Sequence, residues 1–174
     1  MRFMGTFTIS ELQNMINVNM GDYKISKGDR KLITRDLGSC VGISMYDPQT
    51  GVGGLLHIML PHYNTLEKRI PVVYAKYADT GIEEMVRELT LNGAVRSRLV
   101  AKIAGAAHMI KSANVSESDD ISSRNLEAVR KKLLEMNIPI LASEVGEHYP
   151  RTVVFEPGNG SVIIITSGRP DRYL

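Results

Sequence analysis

Apolar residues recur along the chain at two spacings, and the two spacings predict two kinds of element. Spacings of three and four residues predict three amphipathic helices, over residues 6–18, 77–92 and 125–136. Thr8 and Ser10 are candidate N-caps of the first helix, and Thr80 with Glu83 is a candidate capping box for the second. Polar stretches between the elements predict loops, over residues 61–73 and 111–123.

Runs of β-branched and apolar residues bounded by turn residues predict strands, over residues 22–26, 31–35, 41–46, 52–59, 99–104, 140–144, 152–155 and 161–166. The sequence Asp-Pro-Gln-Thr-Gly at 47–51 predicts a turn that joins two of them into a hairpin. If the turn centres on 48–50, positions that sum to 97 or 98 face each other, and Cys40 lies opposite His57 or Ile58. Many strands with two main helices indicate an α+β domain, a β-sheet core with the two helices packed on it.

Length and charge narrow the classes of function. The chain has 174 residues and balances 21 Lys+Arg against 19 Asp+Glu, and only 6% of its residues are aromatic. That balance, with no basic stripe interleaved by aromatics, argues against a nucleic-acid partner. The chain has no apolar run of about 20 residues, so we expect no membrane insertion. The N-terminus lacks the apolar core of a signal peptide, which favours a cytoplasmic protein.

The cysteine count excludes two further classes. One cysteine, Cys40, excludes a disulfide framework and a thiolate zinc site. His62, His108 and His148 have no metal-ligand spacing and are predicted to lie in loops or at the surface. The glycines at 51–54 lack the Gly-Lys-Ser/Thr of a phosphate loop, so a hairpin turn explains them. We expect no metal and no organic cofactor.

Cys40 stands at a Gly-Ser turn between two predicted strands. Backbone N–H groups in such a turn can lower the pKa of the thiol and hold an oxyanion, whereas the alternative is a small buried apolar residue. His57 is either the base that partners Cys40 or a core histidine. Thr34 either accepts the other ring N–H of His57 or serves only strand propensity.

Five motifs follow one another along the chain. They are Leu-Gly-Ser-Cys-Val at 37–41, His-Ile-Met-Leu-Pro at 57–61, Lys-Tyr-Ala-Asp at 76–79, Ala-Lys-Ile-Ala-Gly-Ala-Ala at 101–107 and Arg-Asn at 124–125. In this order, from about Gly21 to Ile165, the chain resembles the CheD family of chemoreceptor glutamine deamidases. The family's usual Gly-Gly-Ala is Gly105-Ala106-Ala107 here, and Ser122 replaces a common glycine. Either departure could reshape the substrate groove.

The resemblance implies a role for each candidate residue. Cys40 would be the nucleophile, His57 the general base and acid, and Thr34 the residue that orients His57, with Ser39 and Gly38 binding the oxyanion or the substrate. It also implies a fold similar to the catalytic domain of the cytotoxic necrotising toxins. Residues 1–19 are expected to form a helical extension, and residues 20–174 the deamidase domain.

Three functions remain open at this point. The first is deamidation of glutamines on the cytoplasmic helices of chemoreceptors, through a Cys–His thioester. The second is a binding module that stimulates a CheC-type phosphatase of the response regulator. The third is a cysteine hydrolase that acts on some other amide.

Overall fold

Two five-stranded sheets face each other at the centre of the molecule. The structure is a computed structural model that describes residues 7–66, 72–109 and 120–174. The strands are β1 (Ile16–Asn17), β2 (Asp22–Ser26), β3 (Leu32–Leu37), β4 (Val41–Tyr46), β5 (Gly53–Ile58), β6 (Val100–Gly105), β7 (Ile140–Val145), β8 (Arg151–Glu156), β9 (Ser161–Ile165) and β10 (Arg172–Tyr173). The helices are α1 (Ile9–Asn14), α2 (Ala78–Leu91) and α3 (Ile121–Glu135), with 3₁₀ turns at Tyr74–Lys76 and Arg96–Arg98.

The first sheet has the strand order β1-β3-β8-β9-β10, and the second has the order β2-β5-β4-β6-β7. Side chains alternate across each strand, so every central strand contributes to two layers. One apolar layer fills the space between the sheets, and its members include Leu37, Leu55, Ala104 and Phe155. The α+β class predicted from the sequence, with two main helices, is confirmed.

The two main helices cover the outer face of the second sheet. Ile82, Met85 and Leu89 of α2 and Val129 and Leu133 of α3 are buried in one cluster with the outward-facing side chains of that sheet. The short α1 lies on the first sheet, where Phe7 and Met15 are buried with apolar residues of β3, β8 and β9. The helices therefore lie on outer faces, and the layer between the sheets is left to strand residues.

The N-terminal segment differs from the predicted helix over residues 6–18. Thr8 and Glu11 form a capping box at the start of α1, as the Thr8 prediction requires, but the helix ends at Asn14. Ile16 and the residue after it then pair in parallel with β3. The extended backbone lets the N–H groups of Ile16 and Val18 donate to carbonyl groups of the β3 segment, so neither is left without a partner. Part of the predicted extension is thus a strand of the first sheet. Thr6 lies outside the described residues.

The capping box predicted for α2 and the start predicted for α3 both differ from the structure. The capping box of Thr80 and Glu83 is wrong, because α2 begins at Ala78 and the Thr80 hydroxyl donates to the Tyr74 carbonyl at 2.8 Å. The start predicted for α3 at residue 125 is also wrong, and Ile121 is its first residue. Polar residues on the buried side of that first turn concealed the helix. The predicted loops 61–73 and 111–123 fall partly outside the described residues.

The hairpin of β4 and β5 forms as predicted, but its register is different. Gly42 lies opposite His57 and Val41 opposite Ile58, so facing positions sum to 99. The loop is longer than assumed: the Asp47 N–H donates to the Val52 carbonyl and closes the whole 47–52 segment. The pairing of Cys40 with His57 or Ile58 is therefore wrong, and Cys40 lies just before the first residue of β4.

Candidate active site

His57 is held in the layer between the two sheets by one hydrogen bond. Its Nδ1 atom lies 2.7 Å from Oγ1 of Thr34, and both residues are almost fully buried. Thr34 is on β3 of the first sheet and His57 on β5 of the second, so this contact joins the sheets. The predicted contact between these two side chains is present.

A second bond of Thr34 determines which nitrogen of His57 carries the proton. The Thr34 hydroxyl donates its single hydrogen to the Val18 carbonyl at 2.8 Å. Its oxygen can then only accept from His57, so Nδ1 is the protonated nitrogen in the neutral ring. The Nε2 atom is buried and has no hydrogen-bond partner among the described residues. The ring therefore carries an unshared basic lone pair.

Cys40 lies in the loop between β3 and β4, and its side chain is half-buried. A bulge near the end of β3 shapes the loop: Asp36 has a φ of 59°, and the Gly38 N–H donates to the Asp36 carbonyl at 2.9 Å. Cys40 packs against the apolar layer between the sheets, which includes Leu37 and Ala104. This is the same layer that holds the ring of His57.

The register relates Cys40 to His57 as diagonal neighbours. His57 faces Gly42, and residues two apart on a strand share a face, so a strand extended back to Cys40 would carry that side chain on the side of His57. Gly42 leaves this face without a side chain. A Cβ atom there would meet Cδ1 of Leu37 at 2.9 Å, so a larger residue would require the Leu37 side chain to shift.

Burial sets the resting protonation of the pair. Desolvation lowers the pKa of His57 to about 4, against a weaker opposite effect of the Asp36 carboxylate. Desolvation also raises the pKa of the Cys40 thiol, and the backbone N–H of Cys40 itself lowers it only in part. The turn therefore lowers the thiol pKa, as one of the two alternatives for Cys40 proposed, but burial raises it more, so the pKa is above its ordinary value. At neutral pH both groups are uncharged.

Donors outside the loop of residues 38–40, between β3 and β4, hold its carbonyl groups. The carbonyls of Gly38 and Cys40 accept from the N–H groups of Ala107 and Ala106, each at 2.7 Å. Ala106 has a positive φ of 52°, and this conformation follows the left-handed Gly105. The Gly38 N–H already donates to Asp36, so Gly38 does not offer its N–H to an oxyanion in this arrangement.

Sequence reasoning missed a role for Asn125, which appeared only as part of a motif. Asn125 is fully buried on α3, and its Nδ2 donates to the carbonyls of Ser39 and Met59, each at 3.0 Å. The signal was present, because Asn125 falls on the same helical stripe as Val129 and Leu133. An amide on an otherwise apolar stripe indicates a specific hydrogen-bonding task.

The three other histidines differ from one another. His62 is exposed and lies 3.5 Å from the Asp79 carboxylate, as expected of a surface residue. His108 is only half-buried, and its Nδ1 is 2.7 Å from Oδ2 of Asp120 at the start of α3. His148 contacts the His108 carbonyl at 3.0 Å. Among residues 7–66, 72–109 and 120–174, no group of three or more His, Cys, Asp or Glu is arranged to hold a metal ion.

The helices within the described ranges are all too short or too polar to cross a bilayer.

The roles of Cys40, His57, Thr34, Ser39 and Gly38 stay predictions at this point. The division into residues 1–19 and 20–174 also stays a prediction.

Comparison with known proteins gives concordant results. A family model described as "CheD chemotactic sensory transduction" matches residues 59–166. A protein of Lachnoclostridium phytofermentans named "Probable chemoreceptor glutamine deamidase CheD" is 42% identical over 92% of this chain and 98% of its own length. Proteins with the same name from Syntrophomonas wolfei and Desulforamulus reducens are 40% and 44% identical, over 94% and 91% of this chain and 100% and 95% of theirs.

A solved structure of the Bacillus licheniformis hypothetical protein YfiH aligns with a TM-score of 0.44 and 17% identity, over 71% of this chain and 49% of that chain. A likeness at this level assigns no fold, so the expected similarity to the toxin catalytic domain stays a prediction. The sequence relatives and the family model confirm the predicted family. The chain belongs to the CheD family.

Proposed function

We propose that this protein hydrolyses the side-chain amide of glutamine residues in chemoreceptors, with Cys40 as nucleophile and His57 as general base and acid. The activity is the one for which its relatives are named. The observation that carries the mechanism is the hydrogen-bond chain from His57 through Thr34 to Val18, which leaves the Nε2 lone pair of the ring unshared.

The first step is acylation. His57 Nε2 takes the thiol proton while the Cys40 sulfur attacks the carboxamide carbon, and the carbonyl oxygen becomes an oxyanion. In the proposed reaction the Cys40 N–H is the donor nearest to this oxygen. The N–H of Ser39, in the adjoining peptide unit, is the next donor along the chain. A donor of this kind is typically worth about 3 to 4 kcal/mol of the barrier. The imidazolium then protonates the amide nitrogen, ammonia leaves, and a thioester remains on Cys40.

The second step is deacylation. His57 Nε2 takes a proton from a water molecule, and the resulting hydroxide attacks the thioester carbon. The Cys40 sulfur leaves with the proton from His57, and the product is a glutamate side chain. The cycle needs only the resting state inferred above, a neutral thiol beside a neutral imidazole with a free Nε2. It requires no thiolate–imidazolium pair before substrate binds.

The substrate is the set of glutamines on the cytoplasmic helices of chemoreceptors, which places the protein in the cytoplasm. The product glutamates are the residues that receptor methylation needs, so the reaction would serve chemotactic adaptation. No metal ion or organic cofactor enters either step.

The test follows the Gln-to-Glu mass change in a receptor cytoplasmic fragment incubated with the wild type, with Cys40→Ala and with His57→Gln. We expect conversion by the wild type and a loss of at least about 10³-fold in both variants, because each removes a group that moves atoms in the reaction. Equal conversion by Cys40→Ala would exclude the mechanism. Free glutamine and an unrelated glutamine-containing protein, run in parallel, test whether some other amide is the substrate.

The binding-module alternative is tested separately. A pull-down with a CheC-type phosphatase, with wild type and Cys40→Ala compared, shows whether a complex forms without the nucleophile. Absence of any complex with the wild type would remove this function. The deamidase is preferred, because a phosphatase-binding module would have no use for an unpaired buried imidazole nitrogen, which is costly to bury.

A further inference from the structure

Three consecutive carbonyl groups of the nucleophile loop are fixed from outside the loop. Ala107 N–H donates to Gly38, Asn125 Nδ2 to Ser39, and Ala106 N–H to Cys40, at 2.7, 3.0 and 2.7 Å. Two of these donors are backbone groups of the segment after β6. Only the middle one is a side chain, so one substitution can remove it without altering the backbone.

The position of the middle carbonyl, that of Ser39, determines the position of the Cys40 N–H, the proposed donor to the oxyanion. The C=O of Ser39 and the N–H of Cys40 belong to one planar trans peptide unit, in which the two bonds point in opposite directions. A donor that holds the Ser39 carbonyl on one side therefore holds the Cys40 N–H on the other. That N–H also lowers the pKa of the thiol of the same residue, although burial raises this pKa more.

The side-chain N–H groups of Asn125 donate to two backbone carbonyls, one in this loop and one just after the strand that carries His57. Its second N–H reaches the carbonyl of Met59, two residues beyond His57. Its Oδ1 is buried and has no hydrogen-bond partner in the described part of the chain. A buried acceptor without a partner is unfavourable for folding, so stability alone does not explain an asparagine at this position.

We propose that Asn125 is a positioning residue that aims the Cys40 N–H at the oxyanion of the tetrahedral intermediate. The inference rests on the proposed function, since it requires Cys40 to attack an amide carbonyl. Asn125 itself touches no reacting atom. It acts through the Ser39–Cys40 peptide unit, and it ties the position of that unit to the strand end that follows His57.

Two reactions of the same sulfur separate this role from a merely structural one. Amide hydrolysis develops an oxyanion, whereas alkylation by iodoacetamide is a displacement at a saturated carbon and develops none. Asn125→Leu removes both N–H donors and keeps the side-chain volume, and Asn125→Ala serves if the leucine variant does not fold. Val129→Ala is the control, because it truncates a buried residue of the same helix that is not bonded to the loop.

We expect Asn125→Leu to lower kcat for receptor deamidation about 10- to 100-fold, somewhat less than the loss of a whole oxyanion donor. The alkylation rate of Cys40 at about pH 9 should fall by no more than about threefold, because the burial of the thiol, which affects its pKa more than the Cys40 N–H does, is unchanged. Val129→Ala should keep both rates and lose only thermal stability.

A parallel fall of deamidation and alkylation would overturn the inference, because it would show that Asn125 supports the pair or the fold in general. Unchanged deamidation in a folded Asn125 variant would overturn it as well. Failure of the proposed function is distinguishable from both, because in that case Cys40→Ala would retain the wild-type conversion.

Discussion

His57 and Thr34 share a hydrogen bond of 2.7 Å between two sheets, and the hydroxyl of Thr34 is already committed as a donor to the Val18 carbonyl. Because the Thr34 hydroxyl donates its hydrogen to Val18, its oxygen must accept the hydrogen bond from Nδ1 of His57. The backbone of Val18, in the N-terminal segment just after β1, thus sets the tautomer of a histidine on the other sheet. The proposed base is Nε2 for this reason.

Replacement of Thr34 by valine should impair the reaction without a large change in substrate binding. Valine removes the acceptor for Nδ1–H and keeps the shape, so the ring loses its preferred tautomer and orientation. We expect kcat to fall about 10- to 100-fold with KM nearly constant, since general base catalysis typically supplies about 10² to 10⁴-fold. Steady-state deamidation measures both constants. Thr34→Ser is the control and should retain most activity; equal losses in the two variants would argue against the tautomer role.

The stability of the protein should depend on pH through His57. Its pKa is 6.5 in an unfolded chain and about 4 when folded, so between these values the unfolded state binds more protons. The contribution of His57 to the free energy of unfolding, about 3 kcal/mol in total, is complete above pH 6.5. It is lost progressively as the pH falls towards 4. Urea unfolding of the wild type and His57→Gln across this range measures the difference. Parallel curves for the two proteins would show that His57 is not buried in its neutral form.

Cys40 should react slowly as a free thiol. Burial raises its pKa above the reference value of 9.0, so at pH 7 the thiolate fraction is smaller than in free cysteine, whose pKa is about 8.5. Iodoacetamide labelling against pH should show a midpoint above that of free cysteine. A midpoint well below 8.5 would instead indicate a preformed thiolate–imidazolium pair.

A side chain at Gly105 should not be tolerated, because it would make a close contact that is absent at a second glycine, which serves as the control. A Cβ at Gly105 would lie 2.3 Å from the Cys40 carbonyl oxygen, whereas one at Gly93 would meet nothing within 4 Å. Both residues have positive φ, 112° and 106°, so both alanine variants carry a similar backbone strain of about 1 kcal/mol.

Only Gly105→Ala should displace the nucleophile loop, and we expect it to lower deamidation by about 10- to 100-fold. Gly93→Ala should keep activity within about twofold. Thermal unfolding of both variants, measured beside the activity, separates strain from displacement. Full activity in Gly105→Ala would mean that the loop does not depend on this close contact.

The sequence was sufficient for the features that local pattern controls. Alternation and turn residues located β2, β4 and β9 to within a residue, and the helical stripe of Ile82, Met85 and Leu89 predicted α2. The contact of Thr34 with His57 was also predicted. The residue types left this contact as one of two alternatives for Thr34, and the resemblance to the CheD family favoured it.

The features that depend on tertiary context were not accessible in this way. The hairpin register shifted because the Asp47 N–H closes a longer loop, and the thiol pKa rose because burial depends on the packed layer around Cys40. The end of α1 was missed because β1 exists only by pairing with β3. Asn125 could be recognised only once its partners Ser39 and Met59 were known, since they are distant from it in sequence.

A single-turnover experiment shows whether Cys40 forms the thioester. The protein is mixed with a receptor cytoplasmic fragment, quenched in acid, and analysed by intact mass for a covalent adduct of the two chains. We expect an adduct that maps to Cys40, lacks one ammonia relative to the summed masses, and is released by hydroxylamine as a thioester is. With Cys40→Ala we expect no adduct and no Gln-to-Glu conversion. Undiminished conversion by Cys40→Ala would show that Cys40 is not the nucleophile.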